Sequence, residues 1–192
     1  MSVDRDRIER AVHDILEAIG EDPNRAGLVR TPARVADAYA EFFEGLSVNP
    51  LDHLRDSVSL DGTDQTSEAV ILRDISFRSV CEHHLLPFVG IAHVAYLPNE
   101  RVIGLSRIPE VIATLSARPQ LQERLAEQIA DTLVEGLDPK GVLVVLDAVH
   151  RCVAARGSRQ AESSTVTVVS RGSLTEPLAR AEIMGLIGAS RV

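Results

Sequence analysis

Ile8, Val12, Ile15, Leu16 and Ile19 recur at helical spacing and stop at Gly20, which predicts a first amphipathic helix. The polar run 21–30 reads as a loop. Thr31-Pro32 has the form of an N-cap followed by a first-turn proline, opening a second helix through Val35, Ala38, Tyr39 and Phe42 to Gly45. Residues 46–67 are weakly periodic and rich in Asp, Ser and Gly. They read as a long surface connection that closes a helical N-terminal arm, 1–66, before a main domain, 67–192.

From Ala69 the pattern changes. Segments 69–77, 89–97, 142–150 and 164–170 are rich in Val, Ile and Thr, the mark of strands. Leu97-Pro98-Asn99-Glu100 separates the second of these from a short strand over Val102–Leu105, the pattern of a hairpin. Two helical stretches follow, 107–117 and 120–135, broken apart at Pro119. Leu121, Leu125, Ile129 and Leu133 form an apolar stripe on the second, which Gly136 is expected to close. A last helix is predicted over 175–186. Helices, strands, paired helices and strands in that order favour an α+β fold with a mainly antiparallel sheet over a doubly wound one.

Composition narrows the function. The chain has 192 residues, 45% of them apolar, enough to build a core. Only 3% are aromatic and Trp is absent, so that core must rest on aliphatic side chains. A formal net charge of −8 argues against generic binding to nucleic acid or an anionic membrane. Any phosphorylated substrate would need positive charge concentrated locally. The first twenty residues mix acids and bases without an apolar run, and no later stretch is long and apolar enough to span a bilayer. The expected location is therefore the cytoplasm, where Cys81 and Cys152 would not form a structural disulfide.

The chemistry concentrates in Cys81-Glu82-His83-His84 and His150-Arg151-Cys152, which hold both cysteines and three of the six histidines. One turn of backbone can bring Cys81 and His84 to a single ion. His150 and Cys152, at the end of a predicted strand, would share a face. Thiolate and imidazole are the ligands Zn²⁺ prefers, and three protein ligands with an open position describe a catalytic site. An ion so held lowers the pKa of a bound water to about 7. Spacing leaves other readings open: a Cys/His nucleophile pair, a structural four-ligand site that recruits His83 or His150, or a coincidence in which the cysteines are small buried hydrophobes. His13, His53 and His93 read as ordinary surface or core histidines.

Cys81-Glu82-His83-His84-Leu85-Leu86-Pro87-Phe88 resembles the signature of the GTP cyclohydrolase I family. Gly104-Leu105-Ser106, Arg118-Pro119-Gln120-Leu121-Gln122-Glu123-Arg124 and His150-x-Cys152-x-x-x-Arg156-Gly157 follow in the family's order. Thr31-Pro32-Ala33-Arg34-Val35 is similar to its T-P-x-R segment. The resemblance implies a T-fold, an antiparallel sheet backed by two helices, assembled edge to edge into a toroidal homodecamer with sites at subunit boundaries. It implies conversion of GTP to 7,8-dihydroneopterin triphosphate plus formate, the first step of tetrahydrofolate and pterin synthesis. By the same resemblance Cys81, His84 and Cys152 bind Zn²⁺, while His83 and His150 move protons and Ser106 lies near the ribose. Glu123 and Gln122 recognise the guanine edge, and Arg34, Arg107 and Arg156 hold the triphosphate.

One position departs from the family. Three residues after Arg107, where Lys or Arg is usual, stands Glu110. A carboxylate there would repel phosphates, unless neighbours such as Arg151 or Arg159 compensate. The departure keeps open a related cyclohydrolase acting on a modified or less phosphorylated guanine nucleotide. A non-catalytic nucleotide- or pterin-binding ring, with zinc serving only the fold, is a third possibility.

Overall fold

A computed structural model describes residues 3–60, 68–155, 160 and 162–188. In chain order the elements are α1 (Arg5–Ala18), α2 (Thr31–Phe42), β1 (Val58–Ser59), β2 (Val70–Cys81), β3 (Pro87–Leu97) and β4 (Arg101–Val102). There follow α3 (Arg107–Ser116), β5 (Pro119–Gln120), α4 (Gln122–Leu137), β6 (Gly141–His150), α5 (Arg151–Ala154), β7 (Thr165–Gly172) and α6 (Pro177–Gly188).

The N-terminal helices match their apolar periodicity and pack against one another. Asp4 caps α1, its side chain accepting from the Arg7 N–H at 2.9 Å. Helix α2 begins one residue earlier than the Thr31 cap implied: Arg30 is the cap, without a side-chain bond, and Pro32 sits in the first turn, where it lacks no helical partner. The connection after it is more than surface loop. Short 3-10 turns occupy Glu44–Ser47 and Pro50–Leu54, and Leu54 is buried in the main core. The expected hairpin at Leu97–Glu100 does not form either, because β4 pairs antiparallel with β1 rather than with β3.

The main sheet runs β5-β2-β3-β6-β7, antiparallel except for the short parallel contact of β5 with β2. The fold is thus α+β with a mainly antiparallel sheet, as the element order suggested. Helices α3 and α4 cover one face. Leu125, Ile129, Leu133 and Leu137 of α4 meet Tyr96, Val94, Val144 and Leu146 there. Each such aliphatic side chain contributes roughly 1.5–3 kcal/mol by leaving water, and aliphatics supply most of this core. Helix α4 does not close at Gly136 but runs to Leu137, with Asp138 left-handed at φ 46°. Glycine inside it leaves room for a neighbour: a Cβ at 136 would lie 2.4 Å from Leu54 Cδ1, which would have to shift.

On the opposite face Ala95, Leu143 and Val145 pack under Leu174, in a 3-10 turn over Ser173–Thr175, and Ile183 of α6. Elsewhere that face is open, and Val89, Ile91, Val166 and Val168 are exposed. Among the described residues β5 pairs only with Val80 and Cys81, so most of the outer edge of β2 is unpaired, as is that of β7. No helix among them is long and apolar enough to cross a membrane.

Candidate metal centre and active site

Cys81 is the last residue of β2, and the chain returns as β3 from Pro87. The intervening loop is tied by its backbone: Cys81 N–H donates to Leu86 O and Leu85 N–H to Cys81 O, both at 2.9 Å. Leu85 takes a left-handed φ of 52°, a conformation costing a β-carbon residue roughly 1–2 kcal/mol, and so the loop turns back within five residues. Glu82 N–H donates to Gln120 O at 3.1 Å, which anchors the loop to β5 and the start of α4.

Cys152 arrives differently from the strand geometry expected of it. Strand β6 ends at His150, and the chain enters the single turn of α5, which carries Cys152. Donor atoms of Cys81, His84 and Cys152 then lie within 4.8 Å of one another. The cysteines form no disulfide. Two sulfurs and one imidazole converging on one point fit a borderline-soft divalent ion, with a coordination position to spare.

His83 is exposed beside His84, their rings edge to face with centroids 6.2 Å apart. His150 is half-buried. Its ring lies flat on Phe88, its partner across the β3–β6 ladder, at 4.6 Å and 5°. Burial pushes the His150 ionisation below its usual value, and the charge of Glu123 partly opposes this. Glu123 is exposed on the first turn of α4. Gln122 is not: its side chain is buried, and its Nε2 donates to Leu146 O at 3.1 Å and Thr165 O at 2.8 Å. Its Oε1 stands 2.7 Å from His150 Nε2. Besides the guanine contact that the motif implies for it, this amide is engaged with three groups within the chain.

Ser106 precedes α3 and is exposed, and its hydroxyl makes no cap bond because the residue is itself in helical conformation at φ −66°. Arg107 donates from Nη1 to Glu110 Oε2 at 3.0 Å and from Nη2 to Asp56 Oδ2 at 2.8 Å. His53 Nδ1 lies 3.3 Å from the same Glu110 oxygen, and its Nε2 is 2.8 Å from Thr114 Oγ1. Glu110 is thus one link in a charged chain. Arg34 is exposed on α2, and Arg151 is exposed at the start of α5. Arg156 and Arg159 lie outside the described residues.

One partner has no signal in local spacing. Arg124, on α4, grips Glu82 with Nη1 and Nη2 at 2.5 and 3.1 Å, and the guanidinium holds the Glu82 carboxyl below the usual carboxylate range. Only the presence of both residues in family motifs pointed toward them.

The profile of the GTP cyclohydrolase I family matches residues 8–188. The GTP cyclohydrolase 1 of Leifsonia xyli is 63% identical over 185 residues, covering 96% of each chain. Those of Clostridioides difficile, 51% identical over 96% of this chain and 97% of the relative, and Caldanaerobacter subterraneus, 48% identical over 98% and 100%, match nearly end to end as well. A match of this extent, on a chain whose Cys and His ligand candidates converge in space, shows that the protein belongs to the GTP cyclohydrolase I family.

Proposed function

We propose that this chain opens the guanine imidazole ring of GTP hydrolytically at C8 and, after rearrangement and ring closure, yields 7,8-dihydroneopterin triphosphate and formate. The observation that carries the proposal is the convergence of Cys81, His84 and Cys152 within 4.8 Å, beside His150. These three residues would hold Zn²⁺, which when bound supplies Lewis acidity and water activated near neutral pH.

The chain's own residues do the rest. His150 and His83 take up and return protons, which imidazole does near neutrality. Glu123, exposed next to His150 in electrostatic terms, accepts from guanine N1–H and the exocyclic N2–H, a pair adenine lacks. Ser106 offers a hydroxyl to the ribose. Arg34, Arg107 and Arg156 take the triphosphate, as guanidinium forks suit phosphate oxygens.

Assembly into a ring, a decamer, belongs to the same reading. It is supported by the open outer edges of β2 and β7 and by exposed Val89, Ile91, Val166 and Val168 on the uncovered sheet face. Residues 1–66 act as an arm and 67–192 as the catalytic domain of a cytoplasmic enzyme that feeds tetrahydrofolate and pterin synthesis.

The test is incubation of the zinc-loaded protein with GTP, GDP and GMP. Formate and, after oxidation, a fluorescent pterin are expected with GTP. Absence of both under several metals would overturn the proposal, and a strong preference for GMP would favour the less phosphorylated substrate.

A further inference from the structure

Gln122 is nearly fully buried at 1% exposed, and its hydrogen bonds can be assigned by elimination. Its amide touches two backbone carbonyls, Leu146 O at 3.1 Å on β6 and Thr165 O at 2.8 Å at the start of β7. Carbonyl oxygens only accept, so both amide hydrogens must point at them. The opposite amide orientation would put Oε1 against two acceptors. Oε1 therefore faces His150, where it stands 2.7 Å from Nε2. An amide oxygen only accepts as well, so His150 Nε2 must carry the hydrogen.

We propose that Gln122 is a positioning residue that locks His150 in the Nε2–H form and leaves Nδ1 as the nitrogen that exchanges protons. Two further contacts serve the same end. The Phe88 ring, itself buried, lies flat against the imidazole at 4.6 Å, so the ring plane is held as well as the tautomer. Phe77 packs edge-on to Phe88 at 6.1 Å and backs it. The imidazole is thus fixed on one face and at one nitrogen. Gln122 in turn is pinned between β6 and β7 by groups that belong to the sheet. Its place in the sequence, next to Glu123, divides the labour: the exposed neighbour meets the substrate and the buried one sets the base.

The inference rests on the reading of His150 as a proton carrier, and the test separates the two. In full-length protein labelled with ¹⁵N-histidine, NMR of the imidazole nitrogens identifies the tautomer of each of the six histidines, with His150→Gln assigning its signal. His150 is expected as Nε2–H; an Nδ1–H signal would overturn the proposal whatever the activity. Gln122→Met removes the acceptor with little change in length. We expect kcat for formate release to fall about 10- to 100-fold, the size of a general acid–base contribution partly lost, with KM for GTP within about twofold and the His150 signal shifted from pure Nε2–H.

A rise in KM at unchanged kcat would instead make Gln122 a substrate contact and overturn the assignment. Unchanged kcat with an unchanged His150 signal would do so too. Should Gln122→Met fail to fold, the wild-type spectrum alone decides. If His150→Gln retains full activity, the proton-carrier reading fails while the tautomer result stands independently.

Discussion

Arg124 holds both carboxylate oxygens of Glu82, at 2.5 and 3.1 Å, and so ties the first turns of α4 to the loop that carries His83 and His84. The pair is a bidentate fork with partial exposure, 45% and 28% for the two side chains. Exposed ion pairs add at most about 1 kcal/mol to stability, so its value must be sought in geometry. Glu82 follows Cys81 directly and precedes His84 by two residues. Arg124→Met should therefore leave the unfolding temperature nearly unchanged. It should weaken Zn²⁺ binding about 10-fold or more, the usual effect of losing a group that orients a metal loop. Competition with a chromophoric chelator would read this directly, and unchanged affinity would make the fork a surface ornament.

Removal of a ligand distinguishes a catalytic centre from a structural one. Cys152 sits on the single turn of α5 and only borders the main core, whose aliphatic side chains on α3, α4, β3 and β6 meet without it. Cys152→Ser should lower formate release at least about 100-fold, as expected when the chemistry depends on a fully ligated ion, while far-UV circular dichroism stays that of the wild type. Chelation of the wild-type protein should do the same, and added Zn²⁺ should restore it. Unfolding on either treatment would favour the structural role instead.

Glu110, which stands where the motif reading expects a cation, is paired with Arg107. Arg107 is shared between Glu110 and Asp56, and Glu110 also faces His53. A guanidinium already neutralised by two carboxylates has less to offer a phosphate. Glu110→Gln should free part of that charge and lower KM for GTP about 3- to 10-fold, a gain of roughly 0.7–1.4 kcal/mol at the usual conversion, with kcat little changed. The effect should shrink from GTP to GDP to GMP. Steady-state kinetics with the three nucleotides would show it; an equal effect on all three would mean that Arg107 does not meet the phosphate tail.

Much of this was legible because it is local or periodic. The stripe Leu121, Leu125, Ile129 and Leu133 announces a helix that buries one face, and the last three do so, while Leu121 is the extended residue before the helix. Cys81, His84 and Cys152 are chemically unusual enough to be singled out from two short windows, and their donor atoms do converge within 4.8 Å. What was not legible depends on contacts between residues far apart in the chain. Gln122 reads as a substrate contact from its motif, and the structure adds bonds from its amide to Leu146, Thr165 and His150. Nothing in the spacing of 122 and 150 says so. Leu54 lies in a polar stretch that looks like surface, and the packing of its turn against α3 and the close approach of α4 explain why it is buried. Likewise β4 is too short to reveal its partner, which turns out to be β1.

That approach of α4 to Leu54 yields a prediction whose sign runs against propensity. In an exposed helix Gly→Ala stabilises by about 1 kcal/mol. At 136 the new Cβ would meet Leu54 Cδ1 at 2.4 Å, Cβ at 3.0 Å and Cγ at 3.3 Å. Leu54 is itself buried, at 2% exposed, so its side chain has little room to withdraw. Overpacking of this kind costs about 1–3 kcal/mol, enough to cancel or outweigh the helix gain. Gly136→Ala should be destabilising by up to about 2 kcal/mol, the difference between those two magnitudes. In a Leu54→Ala background, where Cδ1 and Cγ are gone and only Cβ remains at 3.0 Å, the same change should be less costly than in the wild type or become stabilising. Denaturant unfolding of the four proteins in the cycle would measure the coupling between the two sites. If Gly136→Ala stabilises the wild type as much as it does the Leu54→Ala variant, the packing of the 3-10 turn on α4 is not what keeps glycine in this helix.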